Sequence, residues 1–205
     1  MTYNDQLQAQ VNLWHVNLSR WLSEELFSVS WWFLVGLTVI SYIAWWLIVD
    51  KKSLRNILLF GSFIAVSNTV FDLSLVVMGL WGYKTKMMPT IPTLFPFDFT
   101  VIPLLAMTIY QFFPTWGKYF IGIAVTKGLF AFGAIPLLIR LQIMELHGIG
   151  LIYVYAVMLA IPLASKFVIE RVIHAEHSAE AIKDKRELPF LTPVPAKRPH
   201  ENDED

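Results

Sequence analysis

Five long apolar stretches, separated by short polar breaks, dominate the hydrophobic pattern of this chain. They cover residues 29–49, 57–80, 97–113, 119–139 and 149–169. A helix needs ~20 mostly apolar residues to cross a bilayer, and a segment in lipid must satisfy its own backbone hydrogen bonds. The pattern therefore predicts an all-α fold, a polytopic membrane bundle of five transmembrane helices within residues 29–173.

Residues 1–28 carry a different pattern, typical of an amphipathic helix. Apolar positions recur at spacings of three and four, with polar residues between them: Leu7, Val11, Trp14, Leu18, Trp21 and Leu22. Such a helix lies in the membrane interface with its apolar face towards the lipid. The alternative is that it caps the bundle and buries the same stripe against protein.

Composition supports the membrane prediction and excludes some chemistry. Hydrophobic residues make up 56% of the chain and charged residues 16%, against about 25% charged in a typical soluble domain. The absence of cysteine excludes a disulfide, a thiolate metal site and a cysteine nucleophile. No nucleic-acid signature occurs. Residues 174–205 predict a polar cytoplasmic helix extension followed by a proline-rich disordered tail.

The distribution of Lys and Arg predicts the orientation. One side carries ten of them: Lys51, Lys52, Arg55, Lys118, Arg171, Lys183, Lys185, Arg186, Lys197 and Arg198. The other side carries four: Arg20, Lys84, Lys86 and Arg140. Lys127 and Lys166 lie inside spans and are left out. The positive-inside rule then places the N-terminus outside and the C-terminus in the cytoplasm of a cell whose plasma membrane holds the protein.

Polar residues within the spans are the first candidates for function, because a charge at the bilayer centre costs at least ~2.5–3.5 kcal/mol. Asp72 lies inside the second span, one helical turn after Asn68, and Lys127 lies near the middle of the fourth. Their depths differ by ~4 Å at the helical rise per residue. Asn68, Asp72 and Lys127 are thus an expected intramembrane polar network. This difference in depth allows a buried ion pair between Asp72 and Lys127. One alternative is that the pair only holds two helices together. The other is that the Lys127 side chain extends to the membrane interface on its own.

Asp98 follows Pro96 at the start of the third span. In the first turn of a helix a carboxylate can accept from free backbone N–H groups and lies at the positive end of the dipole. Asp98 is therefore either a helix cap or a carboxylic acid at the outer mouth of the bundle. Asp98 and Asp72 are the catalytic candidates.

Acidic and histidine residues, which can bind metals, lie near the ends of the last span: Glu145, His147, Glu170, His174 and His177. Charged helices that leave a membrane commonly carry such residues. We predict no metal and no cofactor.

Two resemblances bear on the chain. The run Trp81-Gly82-Tyr83, then Pro96-Phe97-Asp98, Pro103 and Tyr110-Gln111 resembles an uncharacterised family of small multi-pass membrane proteins of endospore-forming Gram-positive bacteria. That resemblance spans about residues 57–173 and implies location and architecture, without a mechanism.

The second resemblance is weaker and chemical. Asp72 to Trp81, then Pro96-Phe97-Asp98, is similar to membrane-embedded lycopene cyclase domains, where it implies carboxyl groups that protonate an isoprenoid double bond. This chain has Phe99 after Asp98 where those cyclases carry adjacent glutamates.

Three functions follow as hypotheses. The first is a non-enzymatic membrane or envelope component that acts through helix–helix contacts. The second is a cyclase-like enzyme or a binder of an isoprenoid or other lipid, using Asp98 and Asp72. The third is a small transporter that acts as a homo-oligomer. Membrane lipids are the expected partners in each case.

The charge bias yields a test of topology. A reporter fused after Ile173 should be active only in the cytoplasm, because ten of the counted positive charges lie on that side. Paired fusions of a cytoplasmic and an exported reporter measure this. Activity of the exported reporter after Ile173 would contradict the orientation.

Overall fold

The computed structural model describes residues 2–187, and the part of the predicted tail beyond them lies outside the described residues. The chain divides into two compact units, Met1–Phe167 and Val168–Asp205. All described elements lie in the first unit, except for the end of the last helix, which makes up the described part of the second.

The described chain is all-α apart from one small sheet, as the sequence predicts. Its helices are α1 (Tyr3–Arg20), α2 (Val29–Ile48), α3 (Leu54–Val77), α4 (Ile102–Phe112), α5 (Trp116–Leu129), α6 (Ile135–Arg140) and α7 (Leu151–Glu187). Its strands are β1 (Trp81–Tyr83) and β2 (Met144–Leu146). Short turns of other helix types join some of them: a 3₁₀ turn at Lys51–Ser53, and π-helical turns at Trp21–Glu25, Phe97–Val101 and Phe130–Ala134.

Within residues 2–187, four helices are long and apolar enough to cross a membrane: Val29–Ile48, Lys51–Val77, Trp116–Arg140 and Leu151–Glu180. At most 33% of each apolar window is buried, so most of these side chains face outward. The predicted third span is the shorter apolar helix Phe97–Phe112. Its sixteen residues rise ~24 Å, less than the ~30 Å of a hydrocarbon core. Pro96 lies at the N-terminal end of this helix, where its missing N–H breaks no helical hydrogen bond.

The N-terminal helix begins at a capping box and stays on the surface. The Thr2 hydroxyl accepts from the Asp5 N–H, and the Asp5 carboxylate accepts from the Thr2 N–H. None of the helix residues is buried. The apolar stripe of α1 is therefore not covered by the described chain, which gives the bundle-capping alternative no support.

The segment after α1 is held by the loop that follows β1. The indole N–H of Trp21 donates to the Lys86 carbonyl (3.0 Å), and that of Trp31 donates to the Met87 carbonyl (3.1 Å). Glu25, which is buried, accepts from the Lys86 N–H at 2.7 Å. These bonds fix residues 84–87 beside the start of α2.

The sheet joins two connections that are distant in sequence, and the hydrophobic pattern does not predict it. After α3, Gly79 adopts a φ of 70°, and the Leu80 N–H bonds back to the Leu75 carbonyl in a Schellman turn. The chain then enters β1, which pairs antiparallel with β2, with Trp81 opposite Leu146 and Tyr83 opposite Met144. Tyr83 is thereby held against the end of α3.

Helices α3 and α4 approach closely because Gly61 carries no side chain. A Cβ at Gly61 would lie 2.3 Å from the sulfur of Met107. One turn away, the rings of Phe60 and Tyr110 stack with centroids 4.4 Å apart. Small residues that let helix backbones approach are typical of bundles in lipid.

Pro103 frees a backbone carbonyl that a neighbouring helix satisfies. Proline has no N–H, so the Phe99 carbonyl loses its i→i+4 donor. The Tyr42 hydroxyl of α2 donates to that carbonyl at 3.0 Å. In lipid, where water cannot replace a lost partner, such side-chain bonds compensate for a helix break.

This bond predicts the effect of a single-atom change. Tyr42→Phe should lower the free energy of unfolding by ~1–3 kcal/mol, since it leaves the Phe99 carbonyl without a donor. The measurement is unfolding of the purified protein in detergent, with Tyr153→Phe as the control, because Tyr153 lies on an exposed position. Equal losses in the two variants would contradict the assignment.

Candidate functional site

Asp72 and Asn68 lie on the buried face of α3, one turn apart, as their spacing predicts. Each side chain is 3% exposed. The Tyr83 hydroxyl donates to Oδ1 of Asp72 at 2.6 Å. Burial raises the pKa of Tyr83 well above its usual value, and the charges of Asp72 and Asp98 act in the same direction. The phenol therefore stays protonated and serves Asp72 as a donor.

Asp98 enters the same site from the π-helical turn at the start of the third apolar helix. Its side chain is 5% exposed, and its carboxyl group lies within hydrogen-bonding reach of that of Asp72. No backbone N–H of the described residues donates to it, so its contacts differ from the predicted helix cap. The π turn takes in one residue more than an α turn, which changes the face on which Asp98 lies.

Lys127 of α5 is also buried, and the carboxyl group whose charge acts on it is that of Asp98. Within residues 2–187 it forms no ion pair with Asp72. The depth estimate that allows such a pair says nothing about the direction in which each side chain leaves its helix. Asp98 therefore takes the role that the sequence predicts for Asp72.

Seven buried side-chain atoms of the described residues lack a hydrogen-bond partner, and most of them belong to this site. They are Asn68 Nδ2, Thr69 Oγ1, Asp72 Oδ2, Trp81 Nε1, Thr93 Oγ1, Asp98 Oδ2 and Thr100 Oγ1. Trp81 Nε1 faces Asp72, and the Thr93 hydroxyl faces Asp98, in both cases without a well-formed bond. Buried unpartnered groups are few in native proteins and call for an explanation at each site.

Four of these residues border one cavity of about 30 Å³ in the first unit. Its polar lining consists of Asn68, Asp72, Trp81, Tyr83 and Asp98. Its apolar lining consists of Phe71, Leu94, Phe97, Ile102, Phe130, Ile135, Leu138, Met144 and Met158. A space of this size holds about two atoms the size of a water oxygen.

Both internal π-helical turns border the cavity. Phe97 begins one and Phe130 begins the other, and their rings meet edge to face with centroids 5.4 Å apart. A proline follows each turn, Pro103 in α4 and Pro136 in α6. Such turns are frequent at functional sites because they move side chains out of helical register.

The chemistry of the site follows from the contact between the carboxyl groups. Two neighbouring carboxyl groups in an apolar site are not readily ionised together, and we infer that the pair holds one proton. This agrees with the lack of a donor to Oδ2 of Asp72 and to Oδ2 of Asp98. A proton on one carboxyl group would supply a donor to the other. With one shared proton and a charged Lys127, the site has no net charge. It can give up or accept one proton.

Tyr83 and Trp81 are site residues that the hydrophobic pattern alone does not identify. Both lie in β1, and only the pairing of β1 with β2 brings them over the end of α3. The sequence signal that marks them is the run Trp81-Gly82-Tyr83, which is part of the resemblance to the family of small multi-pass membrane proteins.

A second buried lysine lies away from this site. Lys166 of α7 is 1% exposed, and its ammonium group donates to the Pro114 carbonyl at 2.9 Å. The ammonium group also faces three aromatic rings. It lies 5.1 Å from the ring centroid of Tyr110, 5.4 Å from that of Trp116 and 4.5 Å from that of Tyr119. Cation–π contacts and a carbonyl stabilise a buried ammonium group. We interpret Lys166 as a helix-packing residue.

Within residues 2–187, no group of three or more His, Cys, Asp or Glu side chains is placed to hold a metal ion. Glu145 instead pairs with Lys84 at 2.6 Å, and that bond lowers the pKa of its carboxyl group. No protein-family model, curated protein or solved structure matches the chain.

The assignment of Asp98 as the partner of Lys127 can be measured. A double-mutant cycle of Asp98→Asn with Lys127→Met should give a coupling energy of ~0.5–3 kcal/mol, the range for residues in one polar network. The matched cycle of Asp72→Asn with Lys127→Met should give a smaller one, because the carboxyl charge that acts on Lys127 is that of Asp98. Unfolding in detergent provides the free energies, and the reverse order of the two coupling energies would contradict the assignment.

Proposed function

We propose that the chain is an integral protein of the plasma membrane with five spans, an outer N-terminus and a cytoplasmic C-terminus. The four long apolar helices and their outward apolar side chains support this. The helix Phe97–Phe112 is the fifth span, and a bilayer that thins locally accommodates its ~24 Å. The Lys and Arg distribution supports the orientation.

The first helix belongs to the same proposal. Its apolar stripe is uncovered, since Leu7 and Val11 are 47% and 45% exposed. Arg20 at its end donates to the Lys84 carbonyl, which holds the helix beside the loop after β1. In the outer interface, α1 lies along the membrane surface with its stripe in the lipid.

Within this bundle we infer a proton-carrying acid site that serves a lipid ligand. The single observation that carries it is the contact between the buried carboxyl groups of Asp72 and Asp98. A carboxylic acid kept protonated in an apolar cavity can act as a general acid. In this role Asp72 and Asp98 hold the proton, Tyr83 orients Asp72, and Lys127 balances the remaining negative charge.

The cost of the site argues for a function. Each charge in the span costs at least ~2.5–3.5 kcal/mol, and ionisable residues in membrane helices mark functional sites by default. A bundle that only needed helix contacts would be as stable with apolar residues there. The resemblance to lycopene cyclase domains points to the same role and to an isoprenoid as one candidate ligand.

A second candidate function is the non-enzymatic membrane component. The observation that favours it is the size of this cavity, because about 30 Å³ beside the acid pair leaves little room for a ligand. In that case the polar cluster specifies how α3, α4 and α5 associate. The two candidates differ in whether the proton of the acid pair is present at neutral pH.

Charge neutrality predicts the number of protonated carboxyl groups in each variant. At pH 7 the wild-type protein should show one C=O stretch of a buried carboxylic acid by infrared difference spectroscopy after transfer to D₂O. Asp98→Asn should lose it, since the remaining carboxylate balances Lys127. Lys127→Met should strengthen it, since both carboxyl groups then stay protonated.

Glu145→Gln is the matched control, because Glu145 is an exposed carboxylate outside the pair. It should leave the band unchanged. A wild-type protein without the band, or a band that Glu145→Gln removes, would contradict the acid site and leave the non-enzymatic component as the better function.

A further inference from the structure

Four unpartnered polar atoms border the cavity beside the acid pair, and they are of two kinds. Asp72 Oδ2 and Asp98 Oδ2 are acceptors, whereas Trp81 Nε1 is a donor, as is the Asn68 amide. All four residues are more than nine-tenths buried. A group that fills this space has to donate one hydrogen bond and accept another, and a hydroxyl group does both.

The size of the space limits what can enter. A cavity of about 30 Å³ accepts about two non-hydrogen atoms. A terminal –CH₂OH group has two. A phosphate, a carboxylated amino acid or a sugar has more, so none of them fits without movement of the surrounding helices.

Charge limits it further. The pair with one proton and Lys127 together carry no net charge, so an ionised head group would enter an apolar site without a counter-charge, at a high desolvation cost. The Trp81 N–H also opposes a bound cation, because it presents its positive end to the cavity. These limits leave an uncharged hydroxyl group.

The rest of the lining is apolar and suits the methylene group next to a hydroxyl. Phe97 and Phe130 from the two π-helical turns, together with Met158 of α7, give the cavity an apolar wall. A ligand with a hydroxyl head and a hydrocarbon tail matches this arrangement, and the bilayer supplies such molecules.

We propose that the cavity binds the hydroxymethyl head of a long-chain alcohol from the bilayer. The ligand hydroxyl donates to the Asp72–Asp98 pair and accepts from Trp81 Nε1 or the Asn68 amide, and its chain extends out of the cavity towards the bilayer. The proposal rests on the proposed acid site, because the neutrality of that site is what selects an uncharged head.

The test uses the purified full chain in lipid nanodiscs and tritiated probes of matched chain length. These are 1-hexadecanol, its methyl ether and hexadecyl phosphate, with phytol as a branched isoprenoid alcohol. The alcohol should bind roughly tenfold more tightly than the ether, which cannot donate a hydrogen bond, and more tightly than the phosphate. Tighter binding of the linear or of the branched alcohol supports the proposal in either case and identifies the chain type.

Variants connect the binding to the cavity. Asn68→Leu and Trp81→Phe each remove a donor to the ligand oxygen, and at least one of them should weaken binding of the alcohol roughly tenfold. Thr100→Val is the control, because the Thr100 hydroxyl is buried and unpartnered but does not border the cavity. It should bind the alcohol with unchanged affinity.

Failure of this proposal and of the acid site are distinguishable. If the carboxylic-acid band is present but alcohol and ether bind equally, the ligand proposal is overturned and the acid site stands. Unchanged affinity for the alcohol in both Asn68→Leu and Trp81→Phe, or tighter binding of hexadecyl phosphate, would also overturn it. If the band is absent, the acid site itself is overturned.

Discussion

The contact between two carboxyl groups inside an apolar helix bundle is the constraint on which the rest of the site depends. Asp72 and Asp98 border one apolar cavity, where two carboxylates would repel each other. In the proposed acid site the pair therefore holds a proton, and Lys127 balances the charge that remains. Tyr83 then supplies the donor that Asp72 lacks. Removing any one of these groups changes the number of protons that the others hold, which makes the cluster a single chemical unit.

Irregular backbone brings these groups together. Asp98 reaches Asp72 from a π-helical turn, and the second such turn places Phe130 against Phe97 across the cavity. The prolines that follow the turns leave carbonyls without donors, and the hydroxyl of Tyr42 satisfies that of Phe99. The helices of the bundle are thus interrupted at the depth where the ionisable residues lie, in keeping with the rule that broken helices occur in lipid only where protein compensates for them.

The sequence predicts those features that depend on one helix at a time. Periodicity and length give α2, α3 and α7, and the spacing of Asn68 and Asp72 gives their common buried face. Features that depend on the contact between two segments cannot be predicted from the hydrophobic pattern. The rise per residue gives the depth of Lys127 but not the direction of its side chain, so the sequence points to Asp72 as its partner and not to Asp98. Strands of three residues, such as β1 and β2, carry too little pattern to be recognised.

The pairing of β1 with β2 has a consequence for biosynthesis. Trp81 is opposite Leu146, so the strand that holds Tyr83 over Asp72 has no partner until the ribosome has made most of the chain. Asp72 enters the membrane earlier, before Asp98 and Lys127 exist, and an isolated carboxyl group in lipid avoids its desolvation cost by taking up a proton. In the proposed acid site, the proton would therefore be acquired at insertion, and the later helices would close around a carboxylic acid that is already neutral.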